Sequence, residues 1–191
     1  MKKTFLILLS LIVTSTFAFG QKIVMDKTDA NGFRLVSTDN KTCRDMKDKV
    51  VFSYGIDAIV DTKRDSTLYE LFLKLGCNNG DKVSKGGKVL IKTHKGNVIE
   101  ATVDADNFAK GRVENINGLV LTLWEMYVHI PLSHTQLQEL ATDGVQKIRI
   151  EGFPDNFEKE YSKDKTSKAI AERLALVDKT LSKKKSFSDG F

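Results

Sequence analysis

Proline is nearly missing from this 191-residue chain, which holds only Pro131 and Pro154. That excludes a proline-rich spacer, and no low-complexity linker or internal repeat takes its place. Cysteine occurs twice, at Cys43 and Cys77, and histidine three times, at His94, His129 and His134. Two cysteines with no histidine at ligand spacing cannot make a structural zinc site. No glycine-rich phosphate cradle is present: Asn78-Asn79-Gly80-Asp81 and Gly86-Gly87 lack the strand, the P-loop lysine and the helix that such a loop needs. No nucleophile elbow is present either, because Pro131-Leu132-Ser133-His134 has no glycines around its serine.

Long apolar runs are also scarce. The single one spans residues 5–13, behind Lys2 and Lys3 and ahead of Ala18 and Gly20. Those small residues stand three and one positions before the Gly20–Gln21 bond, as a signal peptidase requires. The run is far shorter than the about 20 residues of a membrane anchor, and no cysteine near the bond can take a lipid. Residues 1–20 therefore read as a cleaved secretory signal, and the mature protein is expected in the periplasm or outside the cell, without a membrane span. Loss of Lys2 and Lys3 lowers the formal net charge from +5 to +3. So weak an excess excludes nucleic acid as a partner. The densest basic patch, Lys183-Lys184-Lys185, reads as part of a solvated tail over residues 183–191. An oxidising destination and an even cysteine count predict a Cys43–Cys77 disulfide, the alternative being two separate buried thiols. Closing that loop would stabilise the fold by about 4 kcal/mol.

What is present in quantity is β-type alternation. Residues 22–28 and 33–38 flank the turn Asp29-Ala30-Asn31-Gly32 and predict a hairpin. Residues 50–60 predict a strand with Gly55 as a bulge. Residues 67–75 fit a helical face through Leu68, Leu71, Phe72 and Leu75, and a strand face through Tyr69, Leu71, Leu73 and Leu75; their shortness favours a strand. In the hairpin over residues 88–103, a loop of Lys95-Gly96-Asn97 pairs Val89 with Val103, Ile91 with Ala101 and Thr93 with Ile99. It sets Lys88 against Asp104 and Lys92 against Glu100 on the other face. Residues 119–130 are the most apolar strand, expected to be central and covered on both sides for part of its length. A bulge is expected near Glu125 and an end at Pro131. Ser133 with Gln136 predicts a capping box for a helix over residues 134–142, stopped by Gly144. Residues 145–151 predict a strand. Ile170, Leu174, Val177 and Leu181 predict a packed helix over residues 165–181. The expectation is one α+β domain over residues 21–182, mainly antiparallel β, with a sandwich-like sheet and two late helices.

From Gly87 onward the Gly-Lys-Val-Leu-Ile-Lys hairpin, the strand ending in Ile130-Pro131-Leu132-Ser133, the run Gly144-Val145-Gln146-Lys147-Ile148-Arg149-Ile150 and the lysine-rich final helix resemble small exported bacterial proteins of unassigned function. The resemblance covers about half the chain. Its motifs are structural, so it implies a β-rich fold and no activity.

Candidate chemistry reduces to a few groups. Ser133 and His134 with an acid suggest a hydrolytic set, but Ser133 as helix cap accounts for the serine. His94 beside its turn reads as exposed. Asp104, Asp106 and Asn107 lack the glycine and distant glutamate of a calcium loop, and Lys27 spoils the same pattern at Asp29-Ala30-Asn31-Gly32. Asn40-Lys41-Thr42 matches a glycan acceptor triplet. Phe153, Phe157 and Tyr161 suggest either an exposed patch or a seam for the last helix, the seam being favoured. No catalytic, cofactor or metal residue is assigned. The reading is an exported, non-enzymatic protein that acts through its surface on a protein, glycan or lipid. The alternative is a carrier holding an apolar ligand between sheet and final helix, and a Ser133/His134 hydrolase ranks third.

Overall fold

The computed structural model describes residues 22–44 and 51–183. The expected signal and its cleavage bond, Val50 and the tail from Lys184 onward lie outside the described residues. In chain order the elements are β1 (Ile23–Thr28), β2 (Phe33–Thr38), β3 (Lys41–Cys43), β4 (Phe52–Asp61), β5 (Ser66–Gly76), β6 (Lys82–Val83), β7 (Lys88–Thr93), β8 (Val98–Thr102), β9 (Asn107–Phe108), β10 (Lys110–Ile116), β11 (Leu119–Leu132), α1 (His134–Asp143), β12 (Val145–Ile150), β13 (Phe157–Glu160) and α2 (Ser167–Ser182). Antiparallel strands dominate and the helices come late, as the α+β expectation has it. No helix among the described residues is long and apolar enough to cross a membrane.

The large sheet has the order β1-β2-β4-β5-β11-β10 and curls into a half-barrel. Both β2 and β3 lie along β4, β2 against Asp57–Asp61 and β3 against Phe52–Tyr54. A second sheet runs β13-β12-β7-β8, and β6 pairs with β9. Period-two alternation explains the core. Tyr54, Ile56 and Ala58 of β4, Leu71, Leu73 and Leu75 of β5, and Met126, Val128 and Ile130 of β11 share one fully buried face. Val89, Ile91, Ile148 and Ile150 of the second sheet join the same core. Ile170, Leu174 and Val177 of α2 complete it by packing over β2 and β4. α1 carries the expected capping box of Ser133 and Gln136 and closes at Gly144.

Arg173 lies within that apolar helix stripe and is only 1% exposed. Its guanidinium donates to the Asp39 carbonyl at 2.7 Å, the Asp39 carboxylate at 3.0 Å and the Ala169 carbonyl at 3.1 Å. One side chain thus ties the final helix to the turn between β2 and β3.

The structure corrects several details. The β4–β5 ladder runs without a register shift from Phe52↔Leu75 to Asp61↔Ser66, so Gly55 makes no bulge and residues 67–75 are strand. In the β7–β8 hairpin the faces are as expected but the register is two residues off: Val89 faces Ala101, Ile91 faces Ile99 and Lys92 faces Val98. The loop is His94-Lys95-Gly96, with Gly96 at φ +95°. Glycine takes a positive φ at no steric cost and asparagine does not, so the loop settles one residue earlier than a Lys95-Gly96-Asn97 loop. A two-residue slip preserves which side chains face inward and discards the expected charge pairs. β11 passes Glu125 without a bulge and continues through Pro131 to Leu132. Beyond Glu125, β5 is its only ladder partner among the described residues, so a proline there costs no ladder bond on the other edge. Leu119, Val120, Leu121 and Leu123 are exposed, not core. Phe157 and Tyr161 are buried while Phe153 is exposed under the Lys82 ammonium, so the three form no continuous patch.

The expected Cys43–Cys77 disulfide is absent; both thiols are free. Cys43 stands on β3 opposite Phe52 of β4, and Phe52 stands opposite Leu75 of β5. The cysteines therefore lie on opposite sides of β4. Two strand spacings amount to about 9.6 Å, beyond the roughly 7 Å Cα separation that a disulfide spans. The Cys43 thiol instead donates to the Lys165 carbonyl at 3.2 Å. Burial pushes the Cys43 thiol up, and burial beside Asp81 and Glu125 pushes Cys77 up to about 11.

Two outcomes follow. Unreduced protein unfolded in alkylating reagent is expected to gain two labels, whereas the folded protein at pH 8 labels slowly at both positions; an unlabelled unfolded chain would mean the sulfurs are joined. Replacing Arg173 by Met is expected to cost about 3 kcal/mol, because the buried acceptors lose their donor, whereas Asp39→Asn costs about 1 kcal/mol. Urea unfolding midpoints measure both.

Candidate functional site

The large sheet has a second face, turned away from the core, and its ladder register arranges that face in rows. Ser37, Asp57, Glu70 and Pro131 stand abreast on β2, β4, β5 and β11. The next row holds Gly55, Phe72 and His129, and the one after it Thr42, Ser53, Lys74 and Tyr127. These positions read as the polar half of ordinary alternation. Here, however, Ser37, Ser53, Asp57 and Glu70 are all buried.

Buried polar groups require partners, and the rows supply them. The Ser37 hydroxyl donates to Asp57 Oδ1 at 2.5 Å. His129 Nδ1 lies 3.0 Å from Glu70 Oε2 and 3.4 Å from Asp57 Oδ2. The donor atoms of the three side chains lie within 4.8 Å of one another. The hydrogen bond to Glu70 raises the His129 pKa against the opposing effect of burial, and Asp57, Glu70 and Asp104 raise it further by their charge. Burial raises the Asp57 pKa, while Ser37 and His129 oppose that shift. Both acid side chains are 6% exposed and the His129 side chain 37%, so the cluster opens to solvent on its imidazole side.

An aromatic column continues from it. His129 stacks on Phe72 at 4.6 Å between ring centroids, and Phe72 stacks on Tyr127 at 5.7 Å. Tyr127 donates to Glu125 at 2.6 Å, and Glu125 pairs with Lys74. Past this end lies an open cleft of about 710 Å³, lined in part by Asn40, Thr42, Ser53, Lys74, Trp124 and Glu125. Gly55 makes room for Asn40: a Cβ at Gly55 would meet the side-chain amide oxygen Oδ1 of Asn40.

The other sequence candidates fall elsewhere. Ser133 caps α1 and bonds Gln136, while His134 Nε2 lies 3.0 Å from Asp178 on α2. The serine hydroxyl is thus committed to the helix end and the imidazole to a helix–helix contact beside Tyr69, so the structure does not assemble them as nucleophile and base. His94 is half-buried, not exposed. Asp29 closes its own turn by accepting from the Asn31 and Phe33 amides, and Asp106 accepts from the Lys85 amide. Asn78 donates its amide to Asp81. Asn40 is half-buried, and Thr42 bonds Ser53, beside the notch at Gly55.

Sequence reasoning passed over Asp57 and Glu70, and gave His129 no role. The three residues sit on three strands, and only the ladder register brings them together. An acid inside the apolar run Ile56-Asp57-Ala58-Ile59-Val60 was the available signal. Comparison with known proteins finds no matching family model, no matching curated protein and no matching solved structure.

Proposed function

We propose that this is an exported envelope or secreted protein that acts non-enzymatically, by holding a protein partner on the ribbon of β10 and β11. The observation that carries this reading is the ribbon's exposed apolar surface. Val113 is 68% exposed, Val120 66% and Leu119 60%. The two strands pair from Lys110↔Glu125 to Ile116↔Leu119, and β5 joins β11 only from Glu125 onward. The part before Glu125, Leu119–Trp124 paired with Gly111–Ile116, is thus a two-stranded ribbon with apolar side chains on both faces. Exposed apolar side chains gathered on one ribbon suit an interaction site, and the outer backbone edge of β10 offers ladder groups to an added strand. Export rests on the signal pattern of residues 1–20. The carrier alternative is less favoured, because Ile170, Leu174 and Val177 fill the seam between sheet and α2, and the cleft near Trp124 is open and partly polar.

Two measurements test the reading. Expressed in a bacterium with an intact export pathway, the protein is expected in the periplasmic or culture fraction with a mass beginning at Gln21; a full-length cytoplasmic product sinks the export half. A photo-crosslinker at Val120 is expected to give one discrete protein adduct, absent when the crosslinker stands at Lys63. The pair Leu119→Lys and Val120→Lys is expected to weaken that association at least tenfold while changing stability by less than about 0.5 kcal/mol per site. Identical crosslinking from both positions would refute the ribbon as the contact surface.

A further inference from the structure

Asp57 and Glu70 are buried side by side on β4 and β5, and His129 on β11 brings its Nδ1 to both carboxylates. Two acids and an imidazole that converge from three strands make a ligand set for a doubly charged cation.

The two distances from the imidazole to the acids fit one. Donor atoms around a small divalent ion with bonds of about 2.1 Å stand about 3.0–3.4 Å apart in octahedral or tetrahedral arrangement. His129 Nδ1 stands 3.0 Å from Glu70 Oε2 and 3.4 Å from Asp57 Oδ2. Ser37 occupies Asp57 Oδ1 and leaves Oδ2 toward the imidazole, which is how an outer-shell hydroxyl orients a ligating carboxylate. The stacking of His129 on Phe72 holds the ring plane. The solvent-facing side of His129 offers an entry path. One imidazole nitrogen with two carboxylates suits zinc, manganese or iron better than calcium or magnesium, which prefer oxygen alone. We propose that Asp57, Glu70 and His129 form a binding site for a divalent transition-metal ion, with Ser37 positioning Asp57 as a ligand. The competing arrangement is a plain ion triad of imidazolium and two carboxylates.

Purified protein treated with EDTA and dialysed is titrated with zinc chloride, followed by native mass spectrometry and calorimetry. The expected result is one zinc per chain. The double variant Asp57→Asn, Glu70→Gln is expected to lose at least about 100-fold in affinity, and His134→Asn, which alters the contact with Asp178, is expected to bind as the parent does. Absence of stoichiometric zinc, or unchanged affinity in a folded double variant, overturns the site in favour of the ion triad. Since the double variant can fail to fold, the imidazole nitrogens of the unaltered protein supply a second readout by NMR. Zinc is expected to shift the His129 nitrogens; a shift confined to His94 or His134, or no shift, overturns the assignment.

Discussion

β4 is buried on both faces, every residue from Phe52 to Ala58, and most of the molecule follows from that constraint. An antiparallel strand commonly keeps one face in water. When both are covered, one face takes apolar side chains and the other takes groups that are small or fully partnered. Tyr54, Ile56 and Ala58 meet the first demand against β5 and α2. Ser53, Gly55 and Asp57 meet the second: Ser53 bonds Thr42, Gly55 yields its space to Asn40, and Asp57 takes Ser37 and His129. The position of the β2–β3 turn is therefore critical, because it delivers both Asn40 and β3 to that face. Arg173 anchors the same turn through Asp39. The polar rows and the last helix are thus held by one piece of backbone.

What could be read in the chain without coordinates was local. The capping box of Ser133 and Gln136 needs only four residues, and the Asp29 turn needs five. Alternation gave the strand faces correctly even in the β7–β8 hairpin, where the register slipped by two. Face depends on parity alone, while register depends on which loop residue tolerates a positive φ. The cysteines and the Asp57–Glu70–His129 cluster are the opposite case. Composition and compartment argued for a bridge, but the width of β4 between the two thiols forbids it. The same ladder brings together a histidine and two acids that spacing in the sequence leaves unrelated.

β10 escaped the sequence reading for a different physical reason. In Lys110–Ile116 only Val113 and Ile116 are apolar, and with no buried residue from Lys110 to Asn115 there is no alternation to show. Its one clear signal was Asn117-Gly118, both at positive φ, the pair that a tight hairpin turn prefers. The apolar character of residues 119–123 suggested core because a buried strand and an exposed apolar strand share a composition. Only the position of β5, which stops at Gly76 opposite Glu125, tells them apart.

β11 joins the two features. Its second half is locked between the core and the polar rows, and its first half carries the ribbon; no register shift separates them. Glu125 is the residue at the crossing. It pairs with Lys74 and lies 3.9 Å from Arg112, and its bonds to Lys74 and Tyr127 hold its pKa low against the effect of burial. A two-stranded hairpin alone is marginal in water. This one inherits its direction and stiffness from a strand fixed at the far end, with a charged network clamping its base. A surface ordered before binding gives up little conformational entropy when a partner arrives. The apolar side chains on the ribbon are therefore presented from a base held by the sheet, as the proposed contact with a protein partner requires.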